Sequence, residues 1–294
     1  MIKEKFVVAA AAPPCQPGEV RENLTSIREA CSDLARERPG LVLFPELSLS
    51  GFLPNHPTVE HLPWLTEGIA KVREWAQTIP GPATDSLLEI AKEFDILLSA
   101  GLFEDAGPVI HNTQVLAGPN GVLAATRKMH IPMFEAPFYN GGGLPPVVET
   151  RLGRIGTCIC FDTLLPEGPR LLQVAGAEIV LMPFASDPEP RTVEGWIANN
   201  ETLLRTRCLE NGFFGLVCNH KGHVEGLGES MDFPGGGMLI GPRGEMLERW
   251  AGDSASSMVA EIDPHLLSKA RAHTEFGPRF RRPELYGPLG RPLT

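Results

Sequence analysis

Two thiols lie two residues apart in "RIGTCICFD", residues 154–162, where an apolar run ends on Phe161 and Asp162. A cysteine attacks as its thiolate, and an ordinary thiol pKa of about 8.5 means that neutral pH calls for help from a base, a cation or backbone N–H groups. Cys160 stands at the end of the run, ahead of "LLPEGPRLL", where a strand hands over to a helix and N–H groups can point at sulfur. Cys158 lies inside the run and reads as a packed core residue. Three other residues could supply base and cation. Glu46 follows Pro45 after the apolar "LVLF", where a carboxylate is costly to desolvate unless it is paired or used as a general base. Lys128 in "ATRKMHIP" stands where a strand runs out, and Glu135 lies in the aromatic, glycine-rich "MFEAPFYNGGG". Taken singly, each also fits a plainer role, as a capping or solvated glutamate, a solvated lysine beside Arg127, or a surface carboxylate.

The elements that must position these residues are legible from periodicity. "FVVAAA", "GLVLFPE", "DILLSAGLFE", "RIGTCICFD", "AEIVLMPFA", "GFFGLVCN" and "SMVAEID" are short apolar runs expected as buried strands. "EVRENLTSIREACSDLARER" places Val20, Leu24, Ile27, Cys31 and Leu34 at helical spacing, and "TDSLLEIAKEF" and "GPRLLQVAGA" behave alike. Two segments read as hairpins, turning at Pro119-Asn120-Gly121 and at Pro242-Arg243-Gly244. Strands alternating with helices predict an α/β protein, and the hairpins make its sheets mixed. Ligands of open α/β sheets sit beyond the carboxyl ends of strands. Glu46, Cys160 and Asn219 all stand at such ends, and a hairpin strand delivers Lys128.

Composition narrows the classes of partner. The 294 residues carry 26 Lys and Arg against 36 Asp and Glu, a formal charge of −10, which disfavours a nucleic-acid polyanion. No run reaches the roughly 18 apolar residues of a membrane span. "KFVVAAAA", superficially like a signal peptide, reads as a first strand. Cysteines 15, 31, 158, 160, 208 and 218 form no disulfide-dense framework and suit reduced, buried positions in a cytoplasmic protein. No linker, repeat or low-complexity tract divides the chain, so residues 1–294 are expected to form a single domain.

"LVLFPELSLSG", "TRKMHIPMFEAPFYNGG" and "RIGTCICFDTLLPEGPRLLQVAGAEIVLMP" resemble, in order, the three signature blocks of the nitrilase superfamily of carbon–nitrogen hydrolases. "GEVRENL", "HNTQVLAGPNG", "RTRCLENGFFGLVCNHKG", "GPRGEML" and "RRPELY" extend the likeness nearly end to end. The resemblance implies a four-layer αββα sandwich and a cysteine hydrolase acting without metal or organic cofactor. Carried over by motif, Glu46 is general base and acid, Lys128 the oxyanion stabiliser, Cys160 the nucleophile and Glu135 an auxiliary carboxylate, with the backbone N–H of Phe161 in the oxyanion hole. It also implies a homodimer or larger assembly, with the tail from about 265 to 294 near a subunit interface.

The implied substrate is a small amide or N-carbamoyl compound. Phe161-Asp162 stands where nitrilases proper commonly carry Trp-Glu, and Thr163, Leu164 and Leu165 offer no basic grip for a carboxylate. A nitrile substrate, or a fold kept for binding alone, are the alternatives. His130, Phe184 and Trp196 are candidate substrate contacts, His130 fitting a structural role equally well. The acidic segment 183–201, with Asp187, Glu189 and Glu194, is expected at the pocket rim. Cys218, His220 and His223 form a C-x-H-x-x-H that superficially suggests a metal but lacks a second compact ligand pair. Arg207 and Glu210, in an R-x-x-E-N run, are read as structural supports.

Overall fold

The computed structural model describes residues 1–54, 61–250 and 252–291. The first half of the chain runs β1 (Phe6–Ala11), α1 (Val20–Leu34), β2 (Leu41–Leu43), α2 (His61–Trp75), α3 (Pro82–Phe94), β3 (Leu97–Asp105), β4 (Ile110–Gly118) and β5 (Gly121–Arg127). The second half runs β6 (Val147–Thr150), β7 (Gly153–Thr157), α4 (Glu167–Val174), β8 (Ile179–Phe184), α5 (Val193–Asn211), β9 (Phe214–Asn219), β10 (Lys221–Gly226), β11 (Glu229–Pro234), β12 (Gly237–Ile240), β13 (Met246–Arg249), β14 (Ser257–Ile262) and α6 (Pro264–Ala272).

These strands form two six-stranded mixed sheets, ordered β14-β1-β2-β3-β4-β5 and β13-β12-β9-β8-β7-β6, and the ribbon β10-β11. Each large sheet has three parallel strands at its centre, β1-β2-β3 in one and β7-β8-β9 in the other, flanked by antiparallel partners. Strand alternation explains the layering. Val8, Ala10, Leu41 and Leu43 belong to the cluster shared with the second sheet, whereas Ala9, Ala11, Val42 and Phe44 belong to the cluster under the helices. Side chains change face at each residue, so an uninterrupted apolar strand is buried on both sides. α1 and α3 cover the outer face of the first sheet through Ile27, Cys31, Leu87 and Ile90. α4 and α5 cover the second through Leu172, Leu204 and Cys208. The result is the four-layer αββα sandwich, with the facing sides of the two sheets in one continuous cluster.

Two stretches differ from the sequence expectation. "RIGTCICFD" does not stay a strand to Asp162. The ladder ends at Thr157, Cys158 N–H still donates to Leu181 O at 2.9 Å, and the chain then bends into a 3-10 turn, Cys160–Thr163. The segment 183–201 contains the start of a helix that the sequence reading does not include, Val193–Asn211, 19 residues capped by Thr192, whose side chain accepts from Gly195 N–H at 3.0 Å. Of its acidic residues, Asp187 and Glu189 lie 3.6 and 3.4 Å from Arg191, which offsets their charge. All six cysteines are free, and all but Cys160 are buried. Among the described residues, no helix is long and apolar enough to cross a membrane.

Candidate active site

The chain beyond β2 turns sharply to aim Glu46 inward. Leu47 adopts φ 55°, a left-handed conformation that costs a branched residue energy and persists only where neighbours enforce it. The enforcement is visible on three sides. His220 bonds the Glu46 carbonyl through Nε2, Cys15 Sγ donates to Ser48 O at 3.3 Å, and Gly101 N–H donates to Ser48 Oγ at 3.2 Å. Gly101 lies so close that a Cβ there would stand 2.3 Å from Leu47 N, so only glycine admits this approach. The Glu46 side chain is fully buried. Its Oε1 accepts from Asn112 Nδ2 at 2.6 Å and Lys128 Nζ at 2.8 Å, while Oε2 is buried with no hydrogen-bond partner among the described residues.

Lys128 follows directly on β5. Its N–H donates to Asn112 O at 2.8 Å and its carbonyl accepts from Gly142 N–H at 2.7 Å, so one of the loop glycines anchors the backbone here. Nζ donates to Glu46 Oε1 at 2.8 Å and to Glu135 Oε1 and Oε2 at 2.9 and 2.7 Å. An ammonium has three N–H bonds, so every donor is committed to a carboxylate. Burial alone would lower the Lys128 pKa, but the charges of Glu46 and Glu135 overcome it and hold the group well above its usual value. Glu135 sits in a tight turn, its N–H donating to Pro132 O at 2.9 Å and its carbonyl accepting from Tyr139 N–H at 3.2 Å. Burial pushes its carboxyl up to about 7 against the opposing pull of Lys128.

Cys160 opens the 3-10 turn with φ 44°, a second strained non-glycine position. Thr163 Oγ1 donates to the Cys160 carbonyl at 2.7 Å and braces it. Burial, then the negative charge of Glu46, push the thiol well above its usual pKa; Lys128 and an N–H from Ala185 oppose them without prevailing. The sulfur therefore rests as a thiol and needs a base at the moment of attack. Phe161, second in the turn, has an N–H that no carbonyl of the turn can satisfy. Cys158 is fully buried behind the site.

The structure thus brings Glu46, Lys128, Glu135 and Cys160 into one electrostatic cluster. His130 lies beside it, its Nδ1 2.8 Å from Asp162 Oδ1. Phe184 and Trp196 are both buried and meet edge to face at 5.5 Å, with Trp196 Nε1 donating to Ser186 Oγ at 2.7 Å. Asn219 spans the same loop, accepting from Ser186 N–H at 3.0 Å and donating to Ser186 O at 2.9 Å. His220 and His223 do not share a site. His220 is buried on Glu46, whereas His223 is exposed between Asp232 and Glu225. No group of three or more His, Cys, Asp or Glu side chains among the described residues is arranged to hold a metal ion.

The contacts of Asn112 and His220 with Glu46 are the part of the site that the sequence reading does not contain. A signal for Asn112 existed. "HNTQ" places four polar residues in a strand that proves buried along its whole length, and each finds a bond: His111 with Asn140 O, Asn112 with Glu46, Thr113 with Glu104, Gln114 with Phe44 O.

Residues 7–272 match the sequence profile of the carbon–nitrogen hydrolases. The chain belongs to the carbon–nitrogen hydrolase family. It is 30% identical over 293 residues to the deaminated glutathione amidase of Mus musculus, covering 93% of this chain and 83% of that one. It is 28% identical over 261 residues to a nitrilase of Pyrococcus abyssi, covering 86% and 88% of the two chains. Among solved structures, a carbon–nitrogen hydrolase from Helicobacter pylori G27 superposes with a TM-score of 0.79 at 23% identity, covering 98% of this chain and 99% of the other. A glutamate-to-glutamine mutant of the amidase from Nesterenkonia sp. AN1, carrying acrylamide added at its active-site cysteine, gives a TM-score of 0.74 at 25% identity, covering 97% and 99%. The chain is accordingly a hydrolase of carbon–nitrogen bonds.

Proposed function

We propose that this carbon–nitrogen hydrolase cleaves the C–N bond of a small neutral amide or N-carbamoyl compound through a thioester on Cys160. The observation that carries the reading is the division of labour within Glu46: Oε1 is held by Lys128 and Asn112, and Oε2 is buried without a partner among the described residues. A desolvated lone pair beside a protonated thiol is an acceptor waiting for a proton. As sulfur attacks the carbonyl carbon, Oε2 takes the thiol proton, so no free thiolate need form. The carbonyl oxygen becomes an oxyanion held by Phe161 N–H and by Lys128, which exchanges one of its Glu135 contacts for it. Glu46 passes the proton to the departing nitrogen, the C–N bond breaks, and ammonia or an amine leaves. Water then gives a proton to Glu46 and attacks the thioester, and the returning proton restores the thiol as the acid departs. Every step runs on the chain's own residues.

Glu135 holds Lys128 in place and balances its charge. Phe184 and Trp196 stiffen the loop beside Cys160, and His130 belongs to the support of the Lys128 loop. The preference for an uncharged acyl group rests on Thr163, Leu164 and Leu165 after the nucleophile and on a site that already holds two carboxylates. Free, buried thiols favour a reducing, cytoplasmic setting. Exposed apolar side chains on α4 (Leu171, Val174), α5 (Leu209) and the tail (Phe280, Leu285, Leu289) favour a homodimer through that face.

The test is ammonia release from aliphatic amides, N-carbamoyl amines, N-carbamoyl amino acids and nitriles, with Cys160→Ala as the blank. Release from amides or carbamoyl amines, absent in the variant, is expected. Turnover confined to nitriles, or much faster with N-carbamoyl amino acids, overturns the substrate class. Equal release by Cys160→Ala overturns the mechanism.

A further inference from the structure

The hydrolytic steps leave one buried carboxylate near the nucleophile unused. Asp162 is fully buried, two residues past Cys160, and burial raises its pKa. It accepts three hydrogen bonds, all from the loop that carries Lys128: Met129 N–H to Oδ2 at 3.1 Å, and His130 N–H and His130 Nδ1 to Oδ1, each at 2.8 Å. A carboxylate is acceptor-only and takes all three donors at once, which a side-chain amide cannot do without setting its own N–H against one of them.

The residues joined by these bonds, Met129 and His130 on one side and Asp162 on the other, lie outside the sheet ladders. β5 ends at Arg127 and β7 at Thr157; Lys128 keeps one last backbone bond to β4, N–H to Asn112 O at 2.8 Å, but Met129, His130 and the Cys160–Thr163 turn lie beyond the ladders. The turn is strained at Cys160, φ 44°, and strain of this kind lasts only where other contacts over-determine it. Its far end is gripped by Arg207, whose Nε donates to Thr163 O at 2.9 Å and Nη2 to Leu164 O at 2.7 Å. Within the turn Thr163 Oγ1 braces the Cys160 carbonyl, and Asp162 is the side chain that ties the turn to the Lys128 loop. Gly168, opening α4, leaves no slack, because a Cβ there would stand 2.7 Å from Asp162 O and 3.2 Å from Met129 Cε.

We propose that Asp162 is a positioning residue, a latch between the nucleophile turn and the Lys128 loop that sets where the Cys160 sulfur lies relative to the Lys128 ammonium, with His130 as its side-chain partner. The proposal rests on the roles given above to Cys160 and Lys128. Asp162 touches no reacting atom and acts through both of them.

Asp162→Asn keeps the shape of the side chain and opposes its amide to one backbone N–H. The expected result is a fall in kcat of about 100-fold, the loss typical of an ångström-scale displacement of reacting groups, with KM within about threefold of wild type. Alkylation of Cys160 by iodoacetamide, measured without substrate against a Cys160→Ala background, slows in parallel. His130→Ala removes one of the three bonds from a half-exposed residue and lowers kcat about fivefold. Wild-type kcat and alkylation rate in Asp162→Asn, or a loss confined to KM, overturns the proposal. Should Asp162→Asn fail to fold, His130→Ala decides: a lower kcat at unchanged KM supports the latch, and wild-type kcat refutes it. A fully active Cys160→Ala refutes the hydrolytic reading instead, so the two failures are told apart.

Discussion

His220 makes a thermodynamic prediction that follows directly from its surroundings. The imidazole is buried, bonds the Glu46 carbonyl through Nε2 and lies 5.2 Å from the Phe233 ring. Because that carbonyl can only accept, Nε2 carries the hydrogen. Burial lowers its pKa from 6.5 to about 4, outweighing the favourable bond and charge of Glu46. The unfolded chain therefore binds a proton that the folded chain refuses between these values, so stability falls as pH drops through 6.5 and levels off near 4. From pH 7 to pH 5 this one group removes about 2 kcal/mol of folding stability. His220→Gln retains an N–H donor and has nothing to titrate. Urea denaturation at pH 7, 6 and 5 should show wild type losing that increment relative to His220→Gln. A stability difference between the two proteins that stays constant over the range would refute the buried neutral imidazole. Activity reports the same contact, since loosening the Glu46 carbonyl relaxes the strained Leu47 turn that aims the general base.

Glu135, pushed up to about 7 by burial, gives the acid limb of the rate profile. Below that pH it takes a proton and loses its hold on Lys128, so kcat/KM should rise with pH through about 7, and Glu135→Gln should abolish or shift that limb; an identical limb in the variant would remove Glu135 from the mechanism. Light scattering on the purified chain should give the mass of a homodimer, and Leu209→Glu with Leu285→Glu should yield monomers. A monomeric wild-type chain would reject the α4–α5–tail face as an interface.

What the sequence determined by itself was local. Apolar runs of a few residues set the strands, helical spacing set α1, α3 and α4, and Glu46, Lys128 and Cys160 each stood where such a run gave out. These signals are carried by near neighbours along the chain, which is why they survive without knowledge of the sheets. The strand carrying Cys160 was read too long because the pattern of apolar residues continues through Ile159, whereas the left-handed backbone at Cys160 is imposed from outside the segment. Likewise the acidic stretch gives no clear helical pattern for α5, because its one buried face includes polar Arg207 and Asn211 while Leu209 lies exposed on another.

Only tertiary structure decided which atoms of the site are occupied and which are free. Asn112 reaches Glu46 across 66 residues, Lys128 across 82 and His220 across 174. The first two pairs form because strand order sets the ends of β2, β4 and β5 together in one sheet, and the third because the second sheet stacks on it and brings the end of β9 alongside, a geometry that no one segment sets. The tertiary arrangement leaves Glu46 Oε2 without a partner among the described residues and gives Asp162 three, the asymmetry on which the proposed base and latch roles rest.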